Sequence, residues 1–324
     1  LRVLATLLLI VFHTAMVFNP ETTFHLQNAD RPGFFEDLVG FIHLWHMPLF
    51  FLLAGIGVWH ALKRRPGKVF AWERFRRLFV PLLVGMAVII PPQVYLERIS
   101  TSVATRQSPI DFDGSFFEFL PQAFNPVYPE ANLSWHHLWF LVYLFTYSLL
   151  LLPLFLWLKG KGSGVRTRIT GFLSRGWNLL LPAAVLAGFE ALLRPSFPNN
   201  QDLVTDLANH ANYPIVLFLG FLLVSDDRLD AAVQRVWKWS LAVASAGVAV
   251  LFAQDLGDAG NASFRGLIEW TMILGLIGLG RRVIRQPIPW IERFSQISLP
   301  FYIWHQTVII VLAYWVIQWS AGPL

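Results

Sequence analysis

Apolar residues run along this chain in long blocks separated by short polar connections, without the narrow amphipathic stripes of a soluble domain. A helix needs about 20 mostly apolar residues to cross a bilayer. Blocks that meet or approach this length lie near residues 3–20, 38–62, 78–96, 137–158, 178–193, 213–225, 239–254, 266–280 and 299–319. The pattern predicts an all-α, polytopic transmembrane bundle of nine spans. Pro153, Pro182 and Pro300 are expected at span ends or kinks, because proline removes a backbone donor. The longest connection, about 97–136, carries Phe116-Phe117-Glu118-Phe119 and ends in Ser134-Trp135-His136-His137. It reads as a partly ordered segment with a short amphipathic helix. No internal repeat or low-complexity linker divides the chain, so residues 1–324 are read as a single domain. The opening at Leu1-Arg2 and the close at Trp319-Ser-Ala-Gly-Pro-Leu324 read as cuts, with residues missing at both ends.

Charge adds a direction to this topology. Residues 63–77 carry Lys63, Arg64, Arg65, Lys68, Arg74, Arg76 and Arg77, and the connections at 159–175, 226–238 and 281–293 are also basic. With Arg2, one side of the membrane holds 20 of the 25 Lys and Arg residues, while the other holds 15 of the 20 acidic ones. Basic loops stay in the cytoplasm, so the N-terminus is expected inside and, after nine spans, the C-terminus outside. Composition agrees: 55% of the chain is hydrophobic and only 14% charged, against about a quarter in soluble domains. A net charge of +5 distributed in this way is no argument for nucleic-acid binding. The absence of cysteine excludes thiol catalysis, disulfides and thiolate metal sites.

Ionisable groups inside spans are costly and mark candidate sites. Arg2 and His13 project from nearly one face of the first span, about 16 Å apart along its axis. That puts Arg2 at the cytoplasmic boundary and His13 near mid-membrane. The second span carries Leu44-Trp45-His46-Met47-Pro48, with His46 about 12 Å in from the outer boundary at the helical rise, close to the depth of His13. His43 lies one turn further out on the same face. Imidazoles gathered at one depth suit proton exchange near neutral pH. The plainer alternative is that each only hydrogen-bonds a neighbouring helix, and that Arg2 snorkels to the interface. His305 is read as shallower, on the cytoplasmic side, either structural or lining the site with Trp45 and His46.

A second constellation is Glu73-Arg74-Phe75-Arg76-Arg77, at the inner mouth of the third span. Arg74 and Arg77 are one helical turn apart and suit bidentate grip of a phosphate. Anchoring to anionic lipid is the alternative. No nucleotide-binding loop, zinc-protease motif or nucleophile elbow occurs. His136 and His137 are not read as metal ligands, because neighbours in a helix do not share a face. With Trp135 and Trp139 they are read as interfacial residues.

These residues resemble a known family. Arg2 followed after ten residues by His13 is similar to the first-helix motif of the membrane acyltransferase-three family. Arg74-Phe75-Arg76-Arg77 resembles its Arg-x-x-Arg element, and the stretches from Met47 to Gly55, His137 to Leu141 and Tyr302 to Gln306 follow in the family's order. The resemblance covers essentially the whole chain and is nearest in flavour to the branch that modifies periplasmic glucans. It implies transfer of an acyl group from cytoplasmic acyl-CoA to a hydroxyl of an extracytoplasmic glycan or glycolipid, in a bacterial inner membrane. By the same resemblance His13 is the catalytic histidine, Arg2 its motif partner, and Arg74 and Arg77 hold the CoA donor. No cofactor is expected to be permanently bound; acyl-CoA, the acceptor and membrane lipid are the expected partners. The family has ten spans where nine are read here, so a tenth is expected beyond Leu324.

The residues leave open whether His13 acts as a general base or carries the acyl group itself. A competing class is a secondary transporter or flippase that uses the histidines as a proton relay. A non-catalytic membrane scaffold is another, but it leaves the Arg2/His13 pair and the arginine mouth without a purpose. No deep cation is expected near His13, which favours a neutral acyl group over a charged one such as succinyl.

Overall fold

A computed structural model describes residues 1–21, 23–100, 110–125, 127–128, 132–286 and 288–319. Among the described residues the regular structure is helical, and the β content is an isolated bridge between Val127 and Leu133. In chain order the helices are α1 (Arg2–Val17), α2 (Phe34–His43), α3 (His46–Arg64), α4 (Gly67–Arg74), α5 (Val80–Val84), α6 (Ile90–Ile99) and α7 (Phe116–Phe119). They continue with α8 (Trp139–Leu150), α9 (Leu152–Lys159), α10 (Ser163–Leu173), α11 (Leu181–Leu193), α12 (Leu207–Leu223), α13 (Asp227–Ala253), α14 (Gly257–Val283) and α15 (Pro289–Gln318). Helix is the form that satisfies every backbone donor and acceptor of an apolar segment from within.

Five helical stretches are long and apolar enough to cross a membrane: Phe34–Arg64, Gly67–Ile99, Asp227–Ala253, Gly257–Val283 and Pro289–Gln318. Two bent pairs raise the count to seven, and the apolar helices α1 and α12 are shorter than a span by this measure. The bends have local causes. Pro153 stands in the first turn of α9, where α8 and α9 meet at 47°, and Gly176, at φ +48°, lies in the 104° turn between α10 and the segment Asn178–Leu193. Pro300, by contrast, lies inside a continuous α15.

The basic connections are more ordered than their polarity suggests. Residues 67–77 continue into the third apolar block through a π turn, Phe75–Phe79, and a second π turn spans Gly85–Ile89. Each lies near proline, before Pro81 and before Pro91-Pro92, where a missing N–H interrupts the i to i−4 ladder. The cationic stretch after Lys159 forms α10. The long connection after α6 does hold a short helix: Ser115 caps α7 in a reciprocal box with Glu118, and a 3₁₀ turn, Leu120–Phe124, follows. The Ser115 backbone N–H and then its hydroxyl hold the Glu118 carboxyl below its ordinary value.

The helices form two compact units, each assembled from separate stretches of chain. Unit 1 comprises Leu1, His43–Arg77 and Val142–Ile288; unit 2 comprises Arg2–Ile42, Leu78–Leu141 and Pro289–Leu324. In unit 1, α14 packs against α11 and α13, and α3 packs against α12. The α3/α12 crossing is close because two glycines face two carbonyls. A β-carbon at Gly55 would lie 2.0 Å from the Leu217 oxygen, and one at Gly220 2.1 Å from the Leu52 oxygen. In unit 2, α15 packs against α1 and α6. Val17, Phe24, Leu26, Ile310 and Ala313 form a buried apolar cluster there, beside which the polar site is built.

Candidate functional site

The site in unit 2 begins with α1, whose two motif residues meet one neighbour. The Arg2 guanidinium donates to the Ser295 carbonyl at 3.3 Å, and His13 Nδ1 lies 3.2 Å from His305 Nε2. Both contacts are to α15, as a shared face on α1 requires. His13 is half-buried, with its ring centroid 4.8 Å from that of His305. By depth along the spans His46 is the expected neighbour of His13; the structure sets His305 against it.

Backbone carbonyls assign the tautomers. His13 Nδ1 is 3.1 Å from the Leu9 carbonyl, and His305 Nδ1 hydrogen-bonds the Tyr302 carbonyl. A carbonyl only accepts, so both Nδ1 atoms carry protons and each neutral ring has its lone pair on Nε2. The His305 lone pair then faces the His13 Nδ1–H. A proton taken up at His13 Nε2 is stabilised through this contact and the Leu9 carbonyl together.

Beside this pair lies a buried polar layer. After α1 the chain folds back, with the Asn28 N–H on the Val17 carbonyl at 2.9 Å, and brings in His25 at 2% exposure. Its Nδ1 hydrogen-bonds Glu97, which is fully buried on α6, and the Tyr128 hydroxyl donates to the same carboxylate at 3.0 Å. Burial, then the Glu97 charge, push the Tyr128 phenol well above its ordinary range and keep it a donor. The Gln306 amide donates to Gln93 Oε1 at 3.1 Å and lies 3.3 Å from His25 Nε2. Gln93 in turn donates to Thr307 Oγ1 at 2.5 Å and lies 3.5 Å from His137 Nδ1. His137 Nε2 donates to the Ile303 carbonyl at 2.9 Å, and its ring is 5.1 Å from that of His305. Five imidazoles, His13, His25, His136, His137 and His305, thus stand in one connected layer, with His136 4.5 Å from His25 by ring centroids. Among the described residues no three His, Cys, Asp or Glu side chains are placed to hold a metal ion.

Several expectations change here. His137 and Trp139 are buried, so the interfacial reading of that stretch does not hold for them. His136 and His137 lie in a 3₁₀ turn entered through a positive φ of 37° at His136, which turns two adjacent imidazoles toward different partners. His305 is joined to His13, not merely near the inner boundary. Arg98, assigned to an outer connection, is 1% exposed beside Glu97, so unit 2 does contain a buried cation.

The other predicted residues lie in unit 1. Trp45 and His46 are buried at the start of α3, and the turn at Leu44-Trp45 separates His43, the last residue of α2, from His46. The expected shared helical face of these two histidines is therefore interrupted. Arg74 ends α4 with its guanidinium 4.7 Å from the Phe70 ring, and Arg77 is exposed in the following π turn. At more than four residues per turn, the π geometry rotates Arg77 away from the face that a regular helix would share with Arg74. The bidentate geometry expected of an α-helical pair is therefore not formed by Arg74 and Arg77.

His25, Glu97, Gln93 and Gln306 were not singled out from the sequence. The available signal was Gln93 and Glu97 at i and i+4 at the end of an apolar block; His25 sits in a loop and gave none.

A family model described as an acyltransferase domain matches residues 1–324. No curated protein and no solved structure matches the chain.

Proposed function

The chain belongs to the acyltransferase-three family, whose model spans it from end to end, and on that premise we propose a transmembrane O-acyltransferase. Its donor is cytoplasmic acyl-CoA and its acceptor is a hydroxyl of an extracytoplasmic glycan or glycolipid. The His13–His305 pair carries this reading, because it leaves the His13 Nε2 lone pair as the base and supplies a partner for the resulting imidazolium. The acceptor hydroxyl gives its proton to His13 Nε2 as its oxygen bonds to the acyl carbonyl carbon. The carbon–sulfur bond breaks, and the leaving CoA thiolate takes the proton back from His13. Arg2, held on Ser295, fixes the inner end of α1 against the helix that carries His305. Arg74 and Arg77 bind the CoA phosphates; the contact of the Arg74 guanidinium with the Phe70 ring, 4.7 Å from its centroid, supports a preformed guanidinium.

Nine spans with a cytoplasmic N-terminus are supported by the five long apolar helices, the two bent pairs and the two shorter apolar helices, which fall where the nine apolar blocks lie. The cationic α10 then lies at the inner surface. The basic side faces the cytoplasm of a bacterial inner membrane.

Labelled acyl-CoA outside proteoliposomes and a glycan inside test the reading. Labelled glycan is expected, and His13→Ala abolishes it. Unchanged transfer in His13→Ala overturns the assignment, whereas transport of the glycan without acylation supports a transporter. A labelled enzyme trapped without acceptor assigns His13 as acyl carrier in place of base.

A further inference from the structure

Unit 1 contains a buried polar cluster that acyl transfer does not use. Glu190, on α11, accepts from Arg194 in two bonds of 2.8 Å, one to each carboxylate oxygen. Asn212, inside α12, donates to Glu190 Oε1 at 3.1 Å and to Glu269 Oε2 of α14 at 2.9 Å. Asn209, one turn before Asn212, accepts from Arg194 at 2.9 Å. Glu190, Asn209, Asn212 and Glu269 are 4%, 0%, 2% and 5% exposed. Four helix-borne polar side chains in apolar helices are costly, and such groups are kept when they serve a ligand or a partner.

The second observation is what this network leaves over. Arg194 Nη1, Asn212 Oδ1 and Glu269 Oε1 are buried and have no hydrogen-bond partner among the described residues. Each sits on a residue otherwise tied into the network, two of them through bonds to the same Glu190 Oε1. The set is mixed: one donor and two acceptors. A metal cation matches only the acceptors and is repelled by the guanidinium. A phosphate or carboxylate matches only Arg194, whose charge Glu190 already compensates. Arg265, one turn before Glu269 on α14, is electrostatically coupled to Glu190 and brings a second guanidinium to the cluster. A set that holds guanidiniums and carboxyl groups together favours a ligand without net charge. Hydroxyl groups both donate and accept, so vicinal hydroxyls complete this mixed set.

We propose that the cluster of Glu190, Arg194, Asn212 and Glu269 in unit 1 is a binding site for a neutral pyranose, held through its ring hydroxyls. The site uses no residue of unit 2 and stands independently of the acyl-transfer reading. The missing hydrogen bonds are the selectivity device: a sugar hydroxyl that supplies them relieves a buried deficit that an apolar ligand leaves in place.

The test uses full-length protein in lipid nanodiscs, free of glycoside detergents, with methyl pyranosides of glucose, galactose and mannose as probes in saturation-transfer NMR. At least one pyranoside is expected to receive transfer at its ring protons. Asn212→Leu, which keeps the volume and removes Oδ1, is expected to weaken binding at least tenfold, as is Arg194→Lys, which keeps the charge and removes Nη1. Phosphoethanolamine, a charged headgroup probe, is expected to give no transfer. His13→Ala binds as the unaltered protein does, so failure here and failure of acyl transfer are read separately. Silence with all three pyranosides leaves only solvent in the cluster and overturns the proposal. Equal binding in a folded Asn212→Leu or Arg194→Lys overturns it too, as does a preference for phosphoethanolamine.

Discussion

His305 shows how a single side chain gains its meaning from its neighbour. In a sequence it is one more histidine in an apolar helix; against His13 it is an acceptor for the proton that defines the reactive tautomer. His305→Phe keeps the ring volume and removes Nε2. Turnover should fall by about 10²-fold, the lower range for a general acid–base contribution, while KM for acyl-CoA and the melting temperature hold. Unchanged kcat would remove His305 from the mechanism. Glu97 makes a different case, since its carboxylate is fully buried and serves His25, Tyr128 and Arg98 at once. Glu97→Gln breaks the buried ion pair with Arg98 and weakens the contacts to His25 and Tyr128, and should cost about 3 kcal/mol, the usual scale for such a pair. A thermal melt matching that of the unaltered protein would show that the Glu97 contacts do not stabilise the fold. Arg2 and His13 were legible as a pair because helical periodicity alone puts them on one face. The His25–Glu97 contact was not, because it joins a loop to a helix 72 residues away.

Helices were the most legible elements, and their interruptions the least. Apolar blocks locate where helix forms, yet π turns, the α8/α9 bend and the α10/α11 corner depend on how the chain repairs backbone bonds lost near proline and glycine. The α3/α12 crossing offers the sharpest test of packing. Gly55→Leu or Gly220→Leu forces the helices apart and should cost at least about 3 kcal/mol, with loss of the native melt. A variant that melts normally would show that the two helices separate without penalty. The start of α13 depends on Asp226, whose side chain accepts from the Arg228 N–H at 3.1 Å. Asp226→Ala should cost about 1 kcal/mol. The Arg228 guanidinium also holds the Asp226 carboxyl well below its usual range. A depressed native pKa contributes its full stability above the unfolded value near 4 and loses it as pH falls further. The difference in melting temperature between Asp226→Ala and the unaltered protein should therefore be constant above pH 5 and shrink on acidification. A constant difference down to pH 2 would contradict this.

At the scale of the molecule the clearest prediction is sidedness. Because the chain has no cysteine, single cysteines report accessibility without background. Lys161→Cys and Asp258→Cys replace exposed residues in unit 1, one in a basic connection and one in an acidic connection. A membrane-impermeant maleimide added to intact spheroplasts should label Asp258→Cys and reach Lys161→Cys only after permeabilisation. The reverse pattern inverts the topology. Catalytic and sugar-binding tests remain separate because the histidine layer and the carboxylate–guanidinium cluster occupy different units.

Composition and periodicity by themselves determined that this is a helical membrane protein and that Arg2 and His13 share a face, while the ordered motifs pointed to its family. These properties are local or additive: hydropathy sums over a block, and helical phase follows from residue spacing. Tertiary structure alone decided that His13 meets His305, that His25 meets Glu97, and that Asn212 joins Glu190 to Glu269. Those contacts are pairwise and long-range. A polar residue buried in an apolar helix signals that it needs a partner, but only packing chooses which one.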